Sequence, residues 1–268
     1  ALAPSQLALD PADEVNLTAG GRSHRLRLTE IDDAGSRGVQ AVATDPSIYE
    51  LFVGSGRAPS IAAPSSPGRP LVAFLDLPLL TSEQKAWAPF AAATADPWPG
   101  AVDVRASAGG GRDPLDRKLC IAADIGVTTT DLFSGPAWRW DTVNSLGVKL
   151  FNGALASLDD LSVLAGGNAL AIENADGAWE ILQFANAALT APGTWMLSRL
   201  LRGQAGTESA MRDPVLAGAR VVVLNAALQQ LSLPQEQYAL AFHYLGGPKG
   251  KPLSDSSYQG AQWTFAGI

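Results

Sequence analysis

Polar and apolar residues alternate along the first part of the chain, and this pattern predicts β-strands. Residues 25–31 (Arg-Leu-Arg-Leu-Thr-Glu-Ile) alternate strictly, as expected for a strand with one face in water. Residues 14–17 and 39–44 are shorter segments of the same kind, separated from it by Gly- and Asp-containing turns. The sequence therefore predicts an antiparallel meander over residues 1–53, with its arginines on the solvent face.

Short apolar or alternating segments also recur through the rest of the chain, with Gly- and Pro-containing turns between them. Many short strands joined by such turns favour a sandwich or a barrel. The predicted strands are 71–77, 87–93, 101–106, 117–121, 126–133, 148–151, 169–173, 179–186, 194–201, 220–224, 238–244 and 263–268.

Residues 54–70 are rich in Gly, Ser, Ala and Pro, which predicts a linker or long loop between the meander and a sandwich- or barrel-like domain over 71–268.

Few helices are expected. Residues 158–164 can form two turns with Ser157 as N-cap, and residues 82–87 a single turn. Strands and helices do not alternate, which disfavours a TIM barrel or a doubly wound sheet. The predicted fold class is mainly β.

Composition excludes several functions. Hydrophobic residues make up 47% of the chain and charged residues 17%, typical of a globular protein. The net charge is −7 and Lys and Arg do not cluster, so nucleic-acid binding is not expected. The sequence contains no run of 18 apolar residues, so no membrane-spanning helix is predicted. Cys120 is the sole cysteine and is expected to be a small buried hydrophobe, with no disulfide within the chain and no Cys-based metal site.

No motif in the sequence predicts a catalytic, cofactor-binding or metal-binding residue. His24 and His243 lie in no pattern that pairs a base with a nucleophile, and no nucleophile elbow, Walker loop or zinc motif is present. The abrupt ending of the terminal predicted strand suggests a piece of a longer protein.

Four carboxylates stand beside tryptophans or strand ends, where a glycosidase could use a pair of them: Asp141, Glu173, Asp176 and Glu180. A structural or solvent-facing role is favoured for each. Asp176 and Gly177 are typical of a hairpin turn, and alternation places Glu180 on the face opposite Trp179.

Trp138 and Trp140 are spaced so that they would share one face of an extended segment. Two interpretations remain open for them. They could form an aromatic ledge for sugars, or they could make a core or inter-subunit contact, which the enrichment of Trp and Arg at interfaces favours.

The stretch from Trp179 to Glu208 resembles part of the large baseplate hub proteins, the megatron type, of siphophage-like tails and gene transfer agents. Its core is Leu-Leu-Arg-Gly-x-x-Gly-Thr-Glu, residues 200–208. Weaker similarities lie in residues 28–49, at Gly166-Gly167-Asn168, and at Tyr244 with Gly247-Pro248. The signature residues are Trp179, Glu180, Phe184, Leu201, Arg202, Gly203, Gly206, Thr207 and Glu208.

The resemblance implies a non-catalytic structural segment of a homotrimeric hub at the tail tip of a virion-like particle. Its partners would be neighbouring tail and baseplate proteins, with the host cell surface as a further one. Two alternatives remain: a carbohydrate- or receptor-binding module using Trp138 and Trp140, and a cell-wall glycoside hydrolase segment.

Within the signature, local chemistry predicts a hairpin at Pro192-Gly193 and a tight loop at Gly203 and Gly206. Arg202 is expected to hold neighbouring carbonyl or carboxylate groups in its planar fork. Thr207 or Glu208 would accept hydrogen bonds, so that the loop is held together by its own polar groups.

Overall fold

A computed structural model describes residues 8–33, 36–45, 67–109 and 114–265. The chain separates into two compact units, Ala1–Ala63 and Pro64–Ile268. Strands hold 49% of the described residues and helices 5%, so the predicted mainly β class with antiparallel sheets is confirmed. Residues 46–66, which include the end of the predicted meander and most of the predicted linker, lie outside the described residues.

The first unit contains a meander of β1 (Glu14–Ala19), β2 (Arg22–Asp33) and β3 (Arg37–Ala43). The register Val15↔Leu26 and Leu28↔Ala41 gathers apolar side chains on one face. On the exposed other face, Arg25 forms an ion pair with Glu14 at 2.7 Å. The predicted strands and the solvent-facing arginine are confirmed here.

Among the residues that the structure describes, the second unit contains two short 3-10 helices, Glu208–Ala210 and Gln235–Gln237. It also contains thirteen strands and one α-helix within those residues. These are β4 (Leu71–Leu75), β5 (Phe90–Thr94), β6 (Val102–Ser107), β7 (Leu115–Leu119), β8 (Ile125–Thr128), β9 (Trp140–Leu150), α1 (Asp160–Leu164), β10 (Ala169–Glu173), β11 (Trp179–Ala191), β12 (Thr194–Gln204), β13 (Arg220–Val223), β14 (Gln229–Gln230), β15 (Ala241–Pro248) and β16 (Gln259–Thr264).

Six of these strands close into an antiparallel barrel in the order β10-β11-β12-β9-β8-β13. Alternate side chains of these strands point inward and form one apolar cluster. Its members include Leu146, Leu170, Leu182, Phe184 and Leu197, each 1% exposed or less. The core of the barrel is therefore filled by side chains and is not an open channel.

Two further sheets lie outside the barrel: β14-β5-β4 packs against the barrel, and β16-β15-β6-β7 packs against the other face of that three-stranded sheet. Strand β5 is buried along its whole length, because the barrel packs on one of its faces and the four-stranded sheet on the other. Phe90 and Ala92 belong to the first contact, and Ala91 and Ala93 to the second. Small alanine side chains allow the sheets to approach from both sides.

Several local predictions were wrong. The N-cap of α1 is Asp159, whose carboxylate accepts the backbone N–H of Ser162, and not Ser157. Residues 82–87 form turns without a helix. Strand β9 begins at Trp140, well before the predicted residue 148. Cys120 is exposed because β7 ends at Leu119, whose side chain takes the buried position instead.

Candidate functional site

The signature stretch folds into the β11–β12 hairpin, the longest pairing in the barrel. Pro192 and Gly193 form its turn, as predicted, with Ala191 paired to Thr194 and Gly193 at a φ of +70°. The other side of β11 pairs with β10 through the turn at Asp176-Gly177, also as predicted. This hairpin therefore contributes two of the six barrel strands.

At the open end of this hairpin, Arg202 and Glu180 form a buried ion pair. The Arg202 Nε donates to Glu180 Oε1 at 2.5 Å, and Nη2 donates to Oε2 at 2.8 Å. The side chains are 0% and 1% exposed. Because Glu180 lies opposite Ile172 of the barrel core, the pair occupies the interior near one end of the barrel. The predicted fork of Arg202 is present.

The same guanidinium connects the barrel to the segment between β8 and β9. Its Nη1 donates to the main-chain carbonyl of Phe133 at 2.8 Å, and Ala137 forms a β-bridge with Arg202. The backbone N–H of Gly203 donates to Glu180 Oε1 at 3.3 Å. Arg202 and Glu180 are thereby bound to each other, to the segment 133–137 and to the backbone of Gly203, and such hydrogen bonds make a buried ion pair compatible with a stable fold.

The loop after Arg202 is also held by its own polar groups. Thr207 donates its hydroxyl to the Gln204 carbonyl at 2.7 Å and accepts the Ile181 N–H at 2.9 Å. Ala205 and Gly206 have φ values of +56° and +84°, which make a tight turn that a glycine favours. A Cβ on Gly203, at a φ of +56°, would lie 2.9 Å from the side chain of Glu208.

The apolar signature residues face three different clusters. Trp179 packs outward against the β14-β5-β4 sheet, Phe184 points into the barrel, and Leu201 packs against Val163 of α1. Residues of the signature therefore pack the barrel against the β14-β5-β4 sheet and against α1.

Trp138 and Trp140 do not share one face of an extended segment, as the ledge interpretation requires. Trp138 lies in a bend with a φ of +65° and is 87% exposed, so the segment is not extended there. Trp140 begins β9, is half-buried beside Leu201, and lies under the Arg199 guanidinium at 4.7 Å from the ring centroid. Arg199 in turn donates to Asp160 at 3.0 Å. The tryptophans therefore have separate environments.

All four candidate carboxylates are engaged by neighbouring groups. Glu180 is buried against Arg202, which is the structural one of the two roles expected for it. Asp176 pairs with Arg212 at 2.8 Å and Glu173 with Arg220 at 3.3 Å.

Asp141, the fourth of these residues, accepts the N–H groups of Val143 and Asn144 and the Asn144 side-chain amide. Burial raises the pKa of Asp141, but these hydrogen bonds together outweigh burial and lower that pKa overall. In Glu173, burial raises the pKa and Arg220 opposes it without cancelling the effect.

His24 on β2 and His243 on β15 are both exposed. Among the described residues, no three His, Cys, Asp or Glu side chains converge in a way that could hold a metal ion. No helix in the described ranges is long and apolar enough to cross a membrane.

The family model described as "Rcc01698-like, C-terminal" matches residues 123–222. This range is less than half of the chain, and it runs from just before β8 to β13, so it covers nearly the whole barrel and the entire signature. No curated protein matches the chain.

Sequence reasoning named Asp141 as a candidate carboxylate but missed the turn that it makes with Asn144, and it missed Phe133 as a partner of Arg202. The pattern Asp-x-x-Asn at residues 141–144 is a signal for the turn that Asp141 makes, because a carboxylate readily accepts N–H groups two and three residues ahead. Nothing in the sequence points to Phe133, which contributes only a main-chain carbonyl.

Proposed function

We propose that this chain is a non-catalytic structural segment of a phage-like tail tip or baseplate hub, acting as a homotrimer with neighbouring tail proteins in a virion-like particle. The buried Glu180–Arg202 pair carries the proposal. The residues that resemble tail hub proteins point into the fold and fasten its layers. Their chemistry is that of a scaffold, since the charged groups of Glu180 and Arg202 bind each other inside the barrel.

The exposed surface supports an assembly role. Trp138, Val143, Leu161 and Leu164 are between 62% and 91% exposed, and all belong to segments that meet around Arg199, at the start of β9 and on α1. Large apolar side chains that face water in a small region are typical of protein interfaces. In the proposed hub this surface contacts a neighbouring subunit or tail protein.

The mass of the chain in solution tests the trimer. We expect multi-angle light scattering to show the trimer, a threefold multiple of 27.8 kDa, at micromolar concentration. Trp138→Ala and Leu161→Ala should lower the trimer fraction without changing the far-UV spectrum. Leu115→Ala, which removes an exposed leucine on β7, serves as the control. A monomer at every concentration, together with turnover of cell-wall glycans by the segment, would refute the scaffold proposal.

A carbohydrate-binding role is the second candidate, because Trp138 offers a freely exposed aromatic ring. It gains no support from Trp140, whose ring is covered by Arg199. Loss of glycan binding in Trp138→Ala but not in Trp140→Phe would favour it. The hydrolase alternative is weakened by the four engaged carboxylates.

A further inference from the structure

A cleft of about 390 Å³ lies on the outer surface of the barrel, and neither Glu180 nor Arg202 lines it. Its floor crosses three neighbouring strands. The register Ile172↔Val221 places Glu173 of β10 beside Arg220 of β13, and Arg220 lies opposite Val127 of β8. Since Ile172 and Val221 point into the barrel, the three floor residues point outward, into the cleft.

The walls of the cleft are apolar and partly open to solvent. Phe151, the residue after β9, is 52% exposed, and Leu216, in the loop before β13, is 63% exposed. Aromatic and aliphatic walls around a few polar groups are the usual composition of a small-ligand site.

The Leu216 wall is fixed by hydrogen bonds. The Thr128 hydroxyl donates to the Leu216 carbonyl at 3.2 Å and accepts the Ala219 N–H at 3.1 Å. The Asp131 carboxylate accepts the N–H of Ala217 at 2.8 Å. Gly218 has a φ of +91°, which permits this tight loop. The cleft therefore exists before any ligand arrives, and ligand binding would not have to order the loop.

The charges on the floor select the kind of ligand. The Arg220 Nε lies 3.3 Å from Glu173 Oε2, so the two charges offset each other and the floor has no net charge. In the part of the chain that the structure describes, this contact leaves the Arg220 Nη groups as donors and Glu173 Oε1 as an acceptor. A donor and an acceptor side by side suit neighbouring hydroxyl groups, which both donate and accept.

We propose that this cleft binds a neutral saccharide, with sugar hydroxyls on Glu173 and Arg220 and the C–H face of a ring against Phe151. Anionic sugars are disfavoured because Arg220, the one cation in the described lining of the cleft, is already offset by Glu173. Peptides are disfavoured because the closed barrel offers no free strand edge in this cleft. The site is separate from Trp138, and the proposal is independent of the hub role.

The test measures binding of neutral di- and trisaccharides of glucose, galactose and N-acetylglucosamine by saturation-transfer NMR and calorimetry. Uronic-acid oligosaccharides and a short apolar peptide are run beside them. Binding of one neutral sugar is expected, weakened about fivefold by Phe151→Ala, because an aromatic contact of this kind contributes on the order of 1 kcal/mol. Phe133→Ala is the matched control, since Phe133 is 55% exposed and lies outside the cleft.

Glu173→Gln provides a second variant of nearly unchanged shape, and it should also weaken binding. No binding of any neutral sugar would overturn the proposal, as would binding of the acidic sugars or the peptide alone. Equal losses in Phe151→Ala and Phe133→Ala, or losses only in Trp138→Ala, would place the sugar elsewhere and equally overturn it.

Discussion

Arg202 and Glu180 lie on the two strands of one hairpin, and their fork-to-carboxylate contact at 2.5 and 2.8 Å is sealed inside the barrel. Removing one partner leaves the other charge buried and unpaired. We expect Arg202→Ala to lower the free energy of unfolding by about 3 to 5 kcal/mol. Urea denaturation followed by tryptophan fluorescence measures the change.

Arg212→Ala is the control for that experiment, because its ion pair with Asp176 is exposed and should contribute no more than about 1 kcal/mol. The double variant Glu180→Leu/Arg202→Met, which replaces both charges by apolar groups, should be more stable than either single change. Equal stability of Arg202→Ala and Arg212→Ala would show that the buried pair does not hold the barrel together.

Gly203 and Gly206 provide a comparison within one loop. Both have positive φ values, +56° and +84°, so alanine is strained at each by about 1 to 2 kcal/mol. Only at Gly203 would the new Cβ meet atoms of Glu208, at 2.9 and 3.0 Å, whereas Gly206 faces open space. Gly203→Ala should therefore be the less stable variant by about 1 kcal/mol or more in thermal or urea unfolding. The reverse order would contradict this account of the loop.

Trp138 and Trp140 should respond differently to truncation. Trp140→Ala removes packing against Leu201 and the contact with Arg199, and we expect a loss of about 1 to 3 kcal/mol, below the range for a fully buried aromatic residue. Trp138→Ala should change the free energy of unfolding by no more than about 0.5 kcal/mol, since its side chain is in water. Similar losses of unfolding free energy in both variants would contradict the separate environments of the two side chains.

The stability contributions of Glu173 and Asp141 should depend on pH in opposite directions. Burial raises the pKa of Glu173 above its ordinary 4.5, so its contribution is fully present below pH 4.5 and is lost as pH rises through the raised value. Glu173→Gln should therefore gain stability relative to the wild type as pH rises over that window.

For Asp141, the N–H groups of Val143 and Asn144 hold the pKa below 3.8, so its contribution is present above pH 3.8 and is lost as pH falls through the lowered value. Asp141→Asn should be less stable than the wild type at neutral pH, and the gap should narrow in acid. Urea titrations at a series of pH values measure both differences. If the stability difference between Asp141→Asn and the wild type widened in acid, the lowered pKa of Asp141 would be contradicted.

Cys120 should react with a thiol reagent in the folded protein, because its side chain is exposed at the end of β7. We expect one thiol per chain to be titrated by a disulfide reagent without denaturant, and at a rate close to that in urea. If the thiol reacted only after unfolding, the exposed position of Cys120 would be contradicted.

The sequence by itself determined the strands and turns whose signals are local. Residues 169–173 are a short, mostly apolar run next to the turn at Asp176-Gly177, and β10 has these bounds in the structure. The residues Pro192 and Gly193 alone likewise predicted a hairpin turn. The planar guanidinium of Arg202 predicted a two-pronged contact with a carboxylate or carbonyl.

Only the tertiary structure decided which carboxylate Arg202 meets and which faces are buried. The β11–β12 register shifts between Ile181 and Gln183, so the pairing of Glu180 with Arg202 cannot be counted from the turn. Burial of β5 on both faces, exposure of Cys120 and separation of Trp138 from Trp140 likewise depend on other parts of the chain. Alternation along a strand is a local property, whereas closure of the barrel and stacking of the sheets are set by contacts between distant residues.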